Sequence, residues 1–398
     1  MKSFLGSFFV LLSLHVVGQD TNQITIGHTD SLHSVILNED RVLRIYNPSP
    51  AGTDNKERYP VLILLDAEQH FSSTVGMIQQ LRGRWPGILV VGITNTDRNR
   101  DLTPANDEEE TSNGTSSGGG DRFMDFIGQE LIPYIEQHYP ASPYRLFSGH
   151  SLGGLMVTHT FLNNPGLFNA YIAIDPSLWW DDMKLVEASR KDYNTAEYDT
   201  RSLFIARAKN MPPGMEPATA MTDTTEYTVL FRSVASFVAN LGESSETGFR
   251  WKAKFYPEET HGTVQLNGQY DALKFMFDYY QFRTSLFELH PDMDIDSVLS
   301  AHFQKISRRF GYPVLPSENL INNLGYTCMG LKKWAQAEAF FKQNIENHQE
   351  SANCFDSMGD FYQATSDLRK AMENYSKALS LGNDDGTRQK LEYLKSIK

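Results

Sequence analysis

With 398 residues, 40% of them hydrophobic and 21% charged, the chain has the make-up of an ordinary globular protein and room for two or three packed units. Its formal net charge of −13 excludes a nucleic-acid partner, which would require a basic footprint. Acidity of this kind serves solubility and leaves the class of small-molecule substrate open.

The first expected element is a leader. Lys2 precedes an uncharged run, Phe4 to Val17, and then Gly18 ahead of Gln19 and Asp20. A short basic head, an apolar stretch too short for a bilayer and a small residue at the cut predict a cleavable secretory signal over residues 1–18, hence a secreted or periplasmic protein. No cysteine follows this run, so a lipid anchor is not expected. No other stretch approaches the ~20 apolar residues of a membrane span.

Residues 23–46 alternate apolar and polar around Gly27, Asp30 and Asn38-Glu39-Asp40, which predicts antiparallel strands joined by turns. After a polar linker, 48–58, the run from Tyr59 to Leu65 is continuously apolar, and a second such run spans 87–93. These read as strands buried on both faces of a parallel sheet, and the helical stretch around Met77 to Leu81 between them implies βαβ units. Residues 105–121 have loop composition, with an acidic run followed by serines and glycines. An amphipathic helix is predicted from Arg122 to Tyr139, with Phe123, Phe126, Ile127, Leu131, Ile132 and Ile135 at helical spacing. A strand over Tyr144 to Phe147 follows.

From Glu318 onward the chain repeats with a period of 34: Ile321 matches Phe355, Leu324-Gly325 matches Met358-Gly359, Ala337 matches Ala371, Phe341 matches Tyr375, and Ile345 matches Leu379. That period predicts two tetratricopeptide-type helix pairs, with a final helix from Thr387 to Ile397 as their cap. The two cysteines, Cys328 and Cys354, both lie here, and the sequence leaves open whether they pair or stay as buried thiols. No Cys/His cluster has the spacing of a metal site, and no cofactor is expected.

The chemistry centres on Gly149-His150-Ser151-Leu152-Gly153. A strand runs straight into this motif and an apolar helix leaves it, which is the setting of a strained nucleophile elbow. A side chain at Gly149 or Gly153 is expected to strike the neighbouring strand or helix. The elbow exposes the Ser151 hydroxyl and aims the Leu152 amide at an oxyanion. A second amide, from Ala67 or Glu68, is expected after the early strand that ends at Leu65-Asp66.

A serine needs a base, which in this fold order follows the last strand. Trp251 to Tyr256 alternates as a strand and leads to His261, the expected base; His150 and His159 are the rivals. The acid is the gap in the pattern. The strand Ser202 to Ala208 is followed by Lys209-Asn210 rather than a carboxylate. Glu226 is preferred, then Asp223; Asp175, at the end of the strand Ala170 to Ile174, is another origin, and a Ser–His dyad without an acid is a further option. Trp179 and Trp180 either line an acyl or aromatic pocket or pack against a helix.

With these residues laid out, the chain resembles the esterase D-like family of α/β-hydrolases. The resemblance rests on Tyr59-Pro60-Val61-Leu62 to Leu65-Asp66, on Glu130-Leu131-Ile132-Pro133-Tyr134, on Ser148-Gly149-His150-Ser151-Leu152-Gly153-Gly154, on Asp175-Pro176-Ser177-Leu178-Trp179-Trp180 and on Thr260-His261-Gly262. It implies Ser151 as nucleophile and His261 as base, and it leans toward the siderophore-esterase branch.

The expected architecture is thus a doubly wound, mostly parallel α/β-hydrolase sheet over 19–285, a linker helix region over 286–317, and a small all-α repeat unit over 318–398. The expected function is a secreted serine carboxylic-ester hydrolase acting on a small-molecule ester. The alternatives are acyl transfer to a sugar or lipid alcohol, and a binding scaffold. The repeats are candidates for a protein partner or a homodimer contact.

Overall fold

The structure is a computed structural model that describes residues 24–398, leaving out 50–56, 106–116, 243–247 and the single positions 286, 288, 289, 291, 383 and 398. The expected signal over 1–18 and most of the loop expected over 105–121 lie outside the described residues.

Strands β1 (His28–Ser34), β2 (Glu39–Tyr46), β3 (Tyr59–Leu64), β4 (Leu89–Ile93), β5 (Ala141–His150), β6 (Ala170–Ile174), β7 (Ser202–Ala208) and β8 (Arg250–Tyr256) form one sheet in the order β1-β2-β4-β3-β5-β6-β7-β8. The β1–β2 and β2–β4 pairs are antiparallel and the rest are parallel. Every residue of β3, β4 and β6 is buried, as strands covered on both faces must be. Side chains alternate across the pleat, so Val61, Ile63 and Leu65 enter one core with Phe147, Leu155 and Phe161. Leu62 and Leu64 enter the other, with Phe71, Leu146 and Leu273.

The covering helices in chain order are α1 (Ala67–Gln80), α2 (Arg98–Leu102), α3 (Gly120–Phe126), α4 (Ile132–His138), α5 (Leu152–Asn163), α6 (Trp180–Ala188), α7 (Pro217–Thr222), α8 (Val229–Asn240) and α9 (Val264–Met276). The amphipathic helix expected from 122 to 139 is α3 plus α4, joined through a wider π turn at Ile127–Leu131. Glu130 in that turn accepts bonds from the Ser34 hydroxyl and from the amides of Val35 and Ile36, at the β1–β2 turn.

Helix α10 (Ile295–Phe310) starts at Asp294, whose side chain accepts from the Ser297 amide, and stops at Gly311 with φ 75°. Its Ile306 and Phe310 belong to the sheet core, and Phe310 stacks on Tyr144 with ring centroids 4.5 Å apart. Its Ile295 and Leu299 belong to a third core with Phe287 and the C-terminal helices. Those helices are α11 (Glu318–Gly330), α12 (Trp334–Asn347), α13 (Ala352–Ala364), α14 (Leu368–Leu381) and α15 (Asp385–Ser396). The 34-residue register has a steric meaning: a Cβ at Gly325 would meet the Phe341 ring at 2.7 Å, and one at Gly359 the Tyr375 ring at 2.4 Å. Cys328 and Cys354 are buried free thiols, each pushed up to about 11 by burial.

Candidate active site

β5 ends at His150, and Ser151 turns the chain into α5 with φ 60° and ψ −118°. A non-glycine residue held there stores about 1–3 kcal/mol of strain, sustained by the structure around it. The Ser151 amide donates to the Ile174 carbonyl (3.0 Å), and the Ser151 carbonyl accepts from the Ser177 amide (3.1 Å). The glycines divide the steric work differently from expectation. A Cβ at Gly149 would lie 2.4 Å from the Gly153 backbone, and one at Gly154 2.9 Å from the Pro176 Cα. At Gly153 the nearest atom is the Asp66 carboxylate at 3.3 Å, a far milder contact.

His261 sits in the turn between β8 and α9. Its Nε2 is 2.9 Å from the Ser151 hydroxyl and its Nδ1 is 2.6 Å from Oδ2 of Asp175. Since the carboxylate only accepts, Nδ1 carries the proton and Nε2 is free to receive one from Ser151. Asp175 is fully buried; Oδ1 also accepts from the Ala208 amide (2.9 Å), and Oδ2 from the Asn210 side chain (2.7 Å).

This geometry corrects the expected acid. Glu226 is exposed at the start of a single 3-10 turn, and Asp223 spends its carboxylate on the hydroxyls of Thr225 and Thr228. Neither approaches a ring nitrogen already bonded to Asp175. The carboxylate comes from the end of β6, one strand nearer the nucleophile than expected. Asn210 stands after β7 where a carboxylate was sought, and donates to Asp175 instead. The signal was present in the sequence: an aspartate directly after a buried strand, and an amide in place of an acid after the next. Of the rival histidines, His159 bonds Asp121 on the surface of α5 (2.8 Å), away from Ser151.

Leu152 and Ala67 are the first residues of α5 and α1, where a helix leaves its amides without an intrahelical partner. Glu68 is second, with its carboxylate turned to the Asn95 amide (2.6 Å). The loop before α1 is held firmly. Asp66, at φ 53°, is buried and takes a two-pronged contact from Arg98 (2.7 and 2.9 Å) and one from Asn95 (2.8 Å). Arg98 also reaches the His150 carbonyl (3.4 Å), tying loop, elbow and α2 together.

Two further histidines adjoin the base. His150 is 2.7 Å from the His261 carbonyl, and burial lowers its pKa to about 4. His70 meets His150 edge-on at 5.8 Å and is also lowered by burial. Both stay neutral at pH 7, so neither adds a positive charge beside His261. The tryptophans separate: Trp180 packs against the sheet core, whereas Trp179 is 41% exposed two residues beyond Ser177. The Ser177 hydroxyl lies 3.3 Å from that of Ser151.

The family described as "Putative esterase" matches residues 34–261. Ferri-bacillibactin esterase of Bacillus subtilis (strain 168) is 32% identical over 184 residues, 41% of this chain and 63% of that protein. A siderophore enterobactin esterase of Emericella nidulans is 26% identical over 165 residues, 36% of this chain and 54% of that protein. The chain thus spans less than two thirds of the length of these curated relatives. An IroE-like serine hydrolase from Shewanella oneidensis superimposes with a TM-score of 0.64 at 28% identity, over 80% of this chain and 99% of that one. An uncharacterised protein of Capnocytophaga ochracea superimposes with a TM-score of 0.63 at 18% identity, over 93% and 99%, a likeness of fold alone. With its α/β-hydrolase sheet and more than half its length matched, the chain belongs to the "Putative esterase" family.

Proposed function

We propose that the protein is a secreted or periplasmic serine esterase that hydrolyses a siderophore ester. The observation that carries this is the alignment of the Ser151 hydroxyl, the His261 imidazole and the Asp175 carboxylate at 2.9 and 2.6 Å. His261 removes the hydroxyl proton as Ser151 attacks the ester carbonyl. The oxyanion is held by the Leu152 amide and the Ala67 amide, with Glu68 the alternative second donor. His261 then returns the proton to the leaving alcohol, and a water molecule, activated the same way, releases the acid.

The siderophore class is suggested by what the relatives in Bacillus and Emericella are named for, and Trp179, two residues beyond Ser177, offers an exposed aromatic face for a catecholate ring. The helix pairs of the C-terminal unit are proposed as tetratricopeptide-type repeats able to receive a protein partner or a second copy.

A fluorophosphonate probe tests the reading: wild type labels and Ser151→Ala does not. Incubation with catecholate and hydroxamate siderophore esters, beside simple acyl esters, then identifies the substrate. Release of free acid in the presence of an alcohol acceptor separates hydrolysis from transfer. An unlabelled wild-type protein sinks the proposal.

A further inference from the structure

His261 is fixed by its side chain at two points, Asp175 and Ser151, on opposite sides of one ring. Its loop is a short turn closed by the Thr260 amide on the Thr263 hydroxyl (2.9 Å), and the ring is 36% exposed. On either side of His261 the loop's main chain is held at the Glu259 carbonyl by the Lys209 amide (2.9 Å) and at the Thr260 carbonyl by the Thr263 and Val264 amides (3.1 Å each). The His261 carbonyl itself, the peptide that carries the base, is met by His150.

We propose that His150 is a positioning residue: its Nε2–H donates to the main-chain carbonyl of His261 and sets the loop that presents the base to Ser151. The proposal rests on the serine-esterase reading of the site. His150 is the last residue of β5, paired with Ile174 of β6, and it directly precedes the nucleophile. One rigid strand end therefore places both the hydroxyl and the base. The contact is short, 2.7 Å, and the two rings lie 4.6 Å apart at 36°.

A carbonyl only accepts, so Nε2 must hold the proton and Nδ1 is bare. The groups facing this ring are His70 from α1, Asp175 from β6 and His261 itself, with Asp66, Glu68 and Arg98 acting on His70 behind it. Burial, with His261 and His70 beside it, keeps the ring neutral. That neutrality matters, because a fixed cation here would oppose the imidazolium that His261 becomes during reaction.

The test compares His150→Gln, which keeps a donor of similar reach, with His150→Met, which keeps the bulk and has none. With a p-nitrophenyl ester, kcat of the Met variant falls ~10–100-fold with KM within about twofold, the size of effect a misplacement near 1 Å produces. The Gln variant recovers to within about threefold of wild type. Equal kcat in all three proteins, or equal losses in Gln and Met, overturns the proposal.

A second measurement needs no variant. Nitrogen-15 NMR of the histidine side chains in the unaltered protein shows His150 as the Nε2–H tautomer, neutral at pH 5. An Nδ1–H tautomer, or a ring already charged there, overturns the proposal whether or not the Met variant folds. Failure of the esterase reading has its own signature: a wild-type protein that neither labels with fluorophosphonate nor hydrolyses any ester.

Discussion

Asp175 is surrounded by three donors, the His261 ring, the Ala208 amide and the Asn210 amide group, and no solvent reaches it. Replacing it with asparagine keeps the volume but turns a pure acceptor into a group that also donates, and the wrong His261 tautomer follows. Asp175→Asn is expected to lower kcat about 10³–10⁴-fold in a steady-state assay, while Glu226→Gln and Asp223→Asn stay within about threefold. His150 contributes to the acid limb of stability. Above pH 6.5, His150 is neutral in both folded and unfolded chains. As pH falls below that, the unfolded chain binds the proton first, because burial holds the folded ring at about 4. Stability is therefore lost between about pH 6.5 and pH 4, by at most about 1.4 kcal/mol per unit. Thermal melts across that window are expected to be flatter for His150→Gln than for wild type. Ser151 and His261 were legible because one lies in a motif with strict local geometry and the other at the end of the last strand. The acid was not, because a carboxylate can reach the same ring nitrogen from either of two adjacent strand ends, and spacing alone does not choose between them.

Strands were the easiest elements to read, since β3 is an unbroken apolar run bounded by polar residues and is buried throughout. β5 extends beyond the expected Tyr144 to Phe147 at both ends, because pairing with β3 and β6 carries it to His150. The π turn at Ile127–Leu131 was illegible, since it changes the helix by less than the periodicity resolves. It has a local reason, the three bonds that Glu130 accepts at the β1–β2 turn. Glu130→Ala leaves the Val35 and Ile36 amides without that acceptor. Chemical denaturation is expected to show a loss of about 1–3 kcal/mol with esterase activity retained. The helix pairs were legible through their glycines. Gly359→Ala drives a methyl into the Tyr375 ring and is expected to lower the stability of the C-terminal unit by about 1–3 kcal/mol.

At the scale of the molecule, α10 belongs to two cores at once, giving Ile306 and Phe310 to the sheet and Ile295 and Leu299 to the C-terminal helices. A cut before α10 is therefore expected to cost the hydrolase unit its Tyr144–Phe310 stack and lower its melting temperature by several degrees. A cut at 317 keeps that stack but bares Ile295 and Leu299, and light scattering is expected to report self-association. The sequence predicts a linker helix region over 286–317 but carries no sign that one helix would serve both sides, because its two apolar faces merge into a single periodic stripe. On the proposed esterase reading, the place of the Asp175 carboxylate at the end of β6 has a consequence for how the fold diversifies. Beyond Asn210, the segment from Met211 to Tyr227 supplies no member of the Ser–His–Asp alignment. It can lengthen, shorten or be exchanged between relatives without displacing a proton donor or acceptor, so new substrate preferences are open to grafting while the reaction stays intact.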